Sequence, residues 1–170
     1  MKVAREFRDA LAAAIAAAPR IEVVEHSHFS DFFEVCDPGE DGVYSSNEFP
    51  VVEYARIRLG GKERDALLRT VRAMDPSEPS SISFCTFDPH HTIELHAESG
   101  LSSSLPICFT CDNFHWSARE LSGARSAWVQ GLESFIGSLG MRPEAEWDQK
   151  LKDSGKLDAL LGTLGAGRGS

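Results

Sequence analysis

The sequence is short of almost everything that would announce a specialised class. It has no run of eighteen apolar residues, so no segment is expected to span a membrane. Four cysteines among 170 residues are too few for a disulfide-stapled miniprotein. Glycine and proline, at 14 and 8, fall in no repeat or low-complexity block, which excludes collagen-like and disordered chains. Positive charge is in deficit: 17 Lys and Arg stand against 26 Asp and Glu, and the net −9 disfavours non-specific attraction to nucleic acid or an anionic bilayer. Also missing are a G-x-S-x-G elbow, a phosphate-binding glycine loop, an H-E-x-x-H pair and a basic strip interleaved with aromatics. Taken with the charge, these absences lead us to expect a non-enzymatic protein with neither nucleic acid nor membrane among its partners.

What is present suits an ordinary globular domain, 42% hydrophobic and 25% charged. A chain of this length buries roughly 70% of the surface its unfolded form exposes, so neither metal nor cross-link is required simply to fold. The first twenty residues place basic side chains before an alanine-rich stretch, as an export signal would. Asp9 interrupts that reading, and Phe7, Leu11, Ile15 and Ala18 recur at three- and four-residue steps, which predicts one face of an amphipathic helix in a cytoplasmic protein.

Further along, Ile21 to Val24 reads as a short strand, and Val51, Glu53, Ala55, Ile57 and Leu59 alternate with Val52, Tyr54, Arg56 and Arg58 as a longer one. Gly60-Gly61 turns the chain into a helix carrying Leu67, Leu68 and Val71. Ser81 to Phe87 and Thr92 to Ala97 are expected to pair as a hairpin about Asp88-Pro89-His90-His91, with Leu105 to Cys111 returning as a third strand. Ala127, Trp128, Leu132, Phe135, Ile136 and Leu139 share a helical face that ends at Gly140; Pro143 opens a last helix with Trp147 and Leu151, closed by Gly155. The fold class expected is therefore α+β, an antiparallel sheet of four to five strands packed against helices, as a single domain over 1–164 with a disordered tail at 165–170.

Charge is distributed unevenly. Between Ile21 and Tyr54 stand nine acids, Glu22, Glu25, Asp31, Glu34, Asp37, Glu40, Asp41, Glu48 and Glu53, and no Lys or Arg. The whole excess of negative charge therefore sits in one stretch, together with Phe29, Phe32, Phe33, Tyr44 and Phe49. Acid accelerates encounter with a basic partner and buried aromatic rings slow its release, so Asp31, Phe32, Phe33, Glu34, Glu40 and Asp41 are the candidate partner-binding residues. The partner they suit is a basic protein such as a toxin domain, covered as an immunity protein covers its toxin. The plainer alternative turns the rings into the protein's own core and leaves the carboxylates as a solvated rim. Asp37, Asp41, Ser45 and Glu48 also follow the spacing of a calcium loop, but Gly39 supplies no side-chain oxygen at the third position and Pro50 opposes an exit helix.

Cys85, His90, Cys108 and Cys111 form the spacing C-x4-H-x17-C-x2-C, with His91 able to replace His90, and these donors are in principle able to fill the tetrahedral shell of Zn2+. Against metal, residues three apart on a regular strand point to opposite faces, and Ile-Cys-Phe-Thr-Cys has no glycine to fold a tight knuckle. The reading preferred over metal is buried structural thiols, with a disulfide the remaining alternative, disfavoured where no export signal is convincing. No Lys or Arg lies between Asp75 and His115 to lower a thiol pKa, which argues against nucleophilic catalysis. Across Phe87-Asp88-Pro89-His90-His91-Thr92-Ile93 and Ile107-Cys108-Phe109-Thr110-Cys111 the chain resembles a family of small bacterial proteins with a Pro-x-His turn and an Ile-Cys-Phe-x-Cys strand. That family has no assigned activity. The resemblance implies a linked role for His90, Cys108 and Cys111, as ligands or as packing, and carries over no catalytic residue. Two readings follow: a binding protein without a cofactor, or a small zinc module with a structural or regulatory site.

Overall fold

The computed structural model describes residues 1–33, 49–81, 85–121, 123 and 125–157. Among the described residues five strands and five helices follow one another as α1 (Lys2–Ala17), β1 (Arg20–His26), α2 (Ser30–Phe33), β2 (Glu53–Arg58), α3 (Gly61–Ala73), β3 (His91–Ala97), β4 (Gly100–Cys108), β5 (Asn113–Phe114), α4 (Ser126–Ser138) and α5 (Trp147–Asp153). The sheet runs in the order β2-β1-β3-β4-β5 and is antiparallel, which bears out the α+β class. Among the described residues no helix is long and apolar enough to cross a membrane. By internal contacts the chain groups into two compact units, Met1–Glu25 with Ala55–Glu144 and His26–Tyr54 with Ala145–Ser170, and the tail expected at 165–170 lies outside the described residues.

The first unit is built on the alternation read from the sequence. Strands β1, β3 and β4 turn Ile21, Val23, Ile93, Leu95, Leu105 and Ile107 to one face, and the registers Val23↔Ile93 and Ile93↔Leu105 set these side chains abreast. Helix α1 lays Phe7, Leu11 and Ile15 on that face, α3 adds Leu67 and Val71, and α4 adds Trp128, Leu132 and Ile136. Trp128 gathers the rings, with Phe7 at 6.3 Å and Phe114 at 6.4 Å, and its indole N–H donates to the Asp75 carbonyl at 2.9 Å, so the buried donor is satisfied. As expected, α4 stops just before Gly140, whose φ of +82° lies where glycine is at ease.

The strand arrangement departs from expectation at one hairpin. The described part of Ser81 to Phe87 holds only an isolated bridge residue at Ser81, and β3 begins at His91, inside the tetrapeptide expected to be the turn. A tight turn at Glu98-Ser99 connects β3 to β4, and β4 starts five residues before the expected Leu105. Ser102, Ser103 and Ser104 carry too little hydrophobicity to advertise a strand. Their pairing with β3 is set by the ladder and by the Ser102 hydroxyl, which donates to the Leu95 carbonyl at 2.7 Å.

The second unit has its own small core of Phe32, Phe49, Val52 and Leu151, with Phe29, Tyr54 and Leu157 packed against it. Phe32 and Phe49 stack at 4.6 Å. Ser27 and Val52 are stapled twice, backbone N–H to carbonyl at 2.8 Å and Val52 N–H to the Ser27 hydroxyl at 2.8 Å. Helix α5 begins at Trp147 rather than near Pro143, and Lys150 lies 5.2 Å from the ring centres of both Tyr54 and Trp147.

Candidate functional site

Strand β4 ends at Cys108, and the chain turns through Phe109-Thr110-Cys111-Asp112, closed by the Asp112 N–H on the Phe109 carbonyl at 3.1 Å. Asp112 takes φ +48°, a left-handed conformation that Asp tolerates better than most side chains. The knuckle for which the sequence offers no glycine is therefore made with aspartate. Leaving the strand at this point frees Cys111 from the alternation that would have sent it away from Cys108.

Two of the four candidate ligands are bonded to each other here. Cys85 and Cys111 are joined as a disulfide across 26 residues of sequence, with Cα atoms 5.6 Å apart. Cys111 is buried and Cys85 exposed. Cys108 keeps a free, buried thiol. Burial pushes this thiol above its ordinary pKa, and the backbone N–H groups of Asp88 and Cys111 offset the effect only in part. The expectation of three buried thiols thus holds for Cys108 alone; Cys36 lies outside the described residues.

His90 is buried and stands one residue before the pair His91↔Ile107, which places it abreast of Cys108 at the sheet's end. His91 is not its substitute. Its ring meets Phe109 edge-on at 5.3 Å and its Nε2 lies 3.7 Å from Glu25 Oε1, on the face that carries Ile93 and Ile107.

The acidic stretch is placed differently from the expected docking face. Glu22, Glu25 and Asp31 are all buried, and Asp31 Oδ2 accepts the His28 N–H at 2.8 Å. Phe32, at 1% exposure, belongs to the second unit's core, so it is unavailable as a partner anchor. The side chain of Phe33, together with Glu34, Glu40, Asp41 and the calcium-like spacing from Asp37 to Glu48, lies outside the described residues.

Sequence reading missed a charged cluster on the sheet face opposite α1, α3 and α4. Arg56 Nη1 lies 2.6 Å from Glu22 Oε2 and 2.6 Å from Glu94 Oε2, while His96 Nε2 sits 3.2 Å from Glu94 and 3.5 Å from Glu22. The register Glu22↔Glu94 and Arg20↔His96 puts these side chains together. Ligand atoms of Glu22, Glu94 and His96 lie within 4.8 Å of one another, a spacing a metal would accept, but Arg56 already delivers positive charge between the two carboxylates. Burial pushes the Glu22 carboxyl up, and the hydrogen bond from Arg56 with the charges of Arg20 and Arg56 outweighs it, holding the group below its ordinary range. The signal that was available is the alternation itself, which sets Arg56, Glu22 and Glu94 on outward positions of neighbouring strands.

The chain matches no family model, no curated protein and no solved structure.

Proposed function

We propose that the chain is a small non-enzymatic module whose working part is the sulfur cluster, and that with Cys85 and Cys111 reduced it holds one Zn2+ through Cys85, Cys108, Cys111 and His90. The observation that supports this reading is the turn at Phe109 to Asp112, which brings Cys111 to Cys85 and leaves Cys108 three residues away at the end of β4. Thiolates around tetrahedral zinc stand about 3.8 Å apart for Zn–S bonds of about 2.3 Å, a separation that side-chain rotation reaches from this backbone spacing. Two electrons from a dithiol convert the disulfide to two thiols, and the three thiols then lose protons to bind the ion. Deprotonating buried Cys108 opposes binding, so affinity rises with pH. The ion would pin the segment before β3 to the end of β4. The test is elemental analysis of reduced, metal-stripped full chain after Zn2+ loading and gel filtration. About one zinc per chain is expected, lost in Cys108→Ser; reduced wild type that emerges metal-free overturns the reading.

A second reading, docking of a basic protein such as a toxin domain by an immunity-type chain, is supported by charge. Glu22, Glu25 and Asp31 are committed inside the fold, yet Glu34, Asp37, Glu40, Asp41 and Glu48 still place five acids and no base within fifteen residues. Retention of the chain on immobilised poly-lysine is expected to fall with salt and with Glu40→Lys plus Asp41→Lys. Retention unchanged by the double substitution removes this face.

A further inference from the structure

We infer that the Cys85–Cys111 disulfide is a modification site for a small cationic aminothiol, which bonds to Cys85 and releases Cys111 as a buried thiol. The site is the oxidised form of the sulfur cluster, so it goes beyond the zinc reading and stands whether or not the reduced form takes an ion.

Burial decides which sulfur is attacked. Cys85 is exposed, whereas Cys111 is 5% exposed in the turn that the Asp112 N–H closes. An incoming thiolate therefore reaches Cys85 Sγ and not its partner. The other end is prepared to hold a proton: the Thr86 carbonyl oxygen lies 2.9 Å from Cys111 Sγ and 3.3 Å from Cys85 Sγ. While the two sulfurs are bonded neither can donate to that oxygen. Once Cys111 is a thiol its S–H does, so the group released inside the fold has an acceptor waiting.

The incoming thiolate attacks Cys85 Sγ, and a mixed disulfide forms there as the Cys85–Cys111 bond breaks. The electron pair of the broken bond stays on Cys111 Sγ, which takes up the proton that the attacking thiol gave to water. One S–S bond replaces another, and the aminothiol is the only co-reactant. Neither cysteine titrates while the bond holds, so the rate follows the thiolate fraction of the incoming thiol.

Charge selects the thiol. From Asp75 to His115 the chain carries six acids and no Lys or Arg. Asp112 adjoins Cys111 and is exposed, and Asp88 follows Cys85 by three residues. A small thiol bearing an ammonium is drawn to this negative potential, and one bearing a sulfonate is repelled.

The experiment treats air-oxidised, chelator-treated full chain with cysteamine or with 2-mercaptoethanesulfonate at equal thiolate concentration. Each rate is divided by that of the same thiol with oxidised mercaptoethanol, a neutral disulfide. Samples are stopped in acid, desalted, alkylated with N-ethylmaleimide and digested with chymotrypsin, whose cuts after Phe87 and Phe109 separate Cys85, Cys108 and Cys111 for mass spectrometry. The cysteamine adduct is expected on Cys85, with maleimide on Cys111. At low salt the normalised rate for cysteamine should exceed that for the sulfonate about fivefold, and the ratio should fall toward one in about 1 M salt, where the Debye length is about 3 Å. Asp112→Asn keeps a left-handed turn that Asn tolerates as Asp does, and should shrink the ratio. An adduct on Cys111, a disulfide that resists both thiols, a ratio near one at low salt or one that Asp112→Asn leaves unchanged overturns the inference; so does failure of Cys85 and Cys111 to pair in air. Because the zinc assay is run on reduced protein, zinc retention with any of these results defeats this inference alone, and a Cys85 adduct without zinc retention defeats the metal reading alone.

Discussion

Arg20 donates from Nη2 to Nδ1 of His96 at 2.8 Å. A guanidinium has no acceptor, so Nδ1 must carry the lone pair and the imidazole proton sits on Nε2, directed at Glu94 and Glu22. One arginine thus fixes the tautomer while the other, Arg56, bridges the two carboxylates across β1 and β3. The cluster joins three adjacent strands and tells the sheet which register is correct, since a one-residue slip would turn these groups into the apolar face.

Arg56→Ala leaves Glu22 and Glu94 opposite one another without the bridging cation. The site lies between an exposed ion pair and a buried one, so a loss of about 1–2 kcal/mol is expected at neutral pH. Arg56→Lys recovers only part of it, because a flexible ammonium is not held as the rigid guanidinium holds Nη1 between the two carboxylates. Urea unfolding of the three proteins checks the order, and equal midpoints would show that the bridge contributes nothing.

Glu22 gives the matching pH dependence. Its carboxyl is held below its usual range in the folded chain, so it adds stability at pH values above its unfolded pKa and loses that contribution as pH falls through the depressed folded value. Glu22→Gln is therefore less stable than wild type at neutrality, and the gap closes in acid. A gap that stays constant with pH, in thermal melts, would contradict the assignment.

How far the sequence carried depended on whether one residue's chemistry decided the local structure. Phe7, Leu11 and Ile15 announced α1 because their spacing matches the helix, and the alternation of Ala55 and Ile57 marked the side of β2 that packs against the core. Ser102 to Ser104 gave no such signal, because the ladder with β3 sets that strand. The cysteine turn was hidden for another reason: it depends on Asp112 accepting a positive φ, which composition does not reveal. The charged cluster escaped notice because Arg56 stands 34 residues from Glu22 and 38 from Glu94, and they meet only through the sheet register.

Cys85→Ser removes a cross-link closing 26 residues, for which chain entropy assigns about 3 kcal/mol of stabilisation to the oxidised protein. Wild type is expected to melt lower in the presence of reductant, and Cys85→Ser to melt at the same temperature with and without it. A wild-type melt indifferent to reductant means that the bond does not stabilise the fold.

Phe32 separates a core role from a docking role. Its ring is buried against Phe49 in the second unit, and truncating such a side chain costs about 3–5 kcal/mol through lost burial and the cavity left behind. Phe32→Ala is therefore expected to accelerate hydrogen exchange across α2, β2 and α5 while leaving β3 and β4 protected. Poly-lysine retention measured below the variant's melting point should be unchanged, because a ring enclosed by Val52 and Leu151 cannot also be an exposed anchor. The opposite pair of results, unchanged exchange and weakened retention, would return Phe32 to the surface role that its place among acids first suggested.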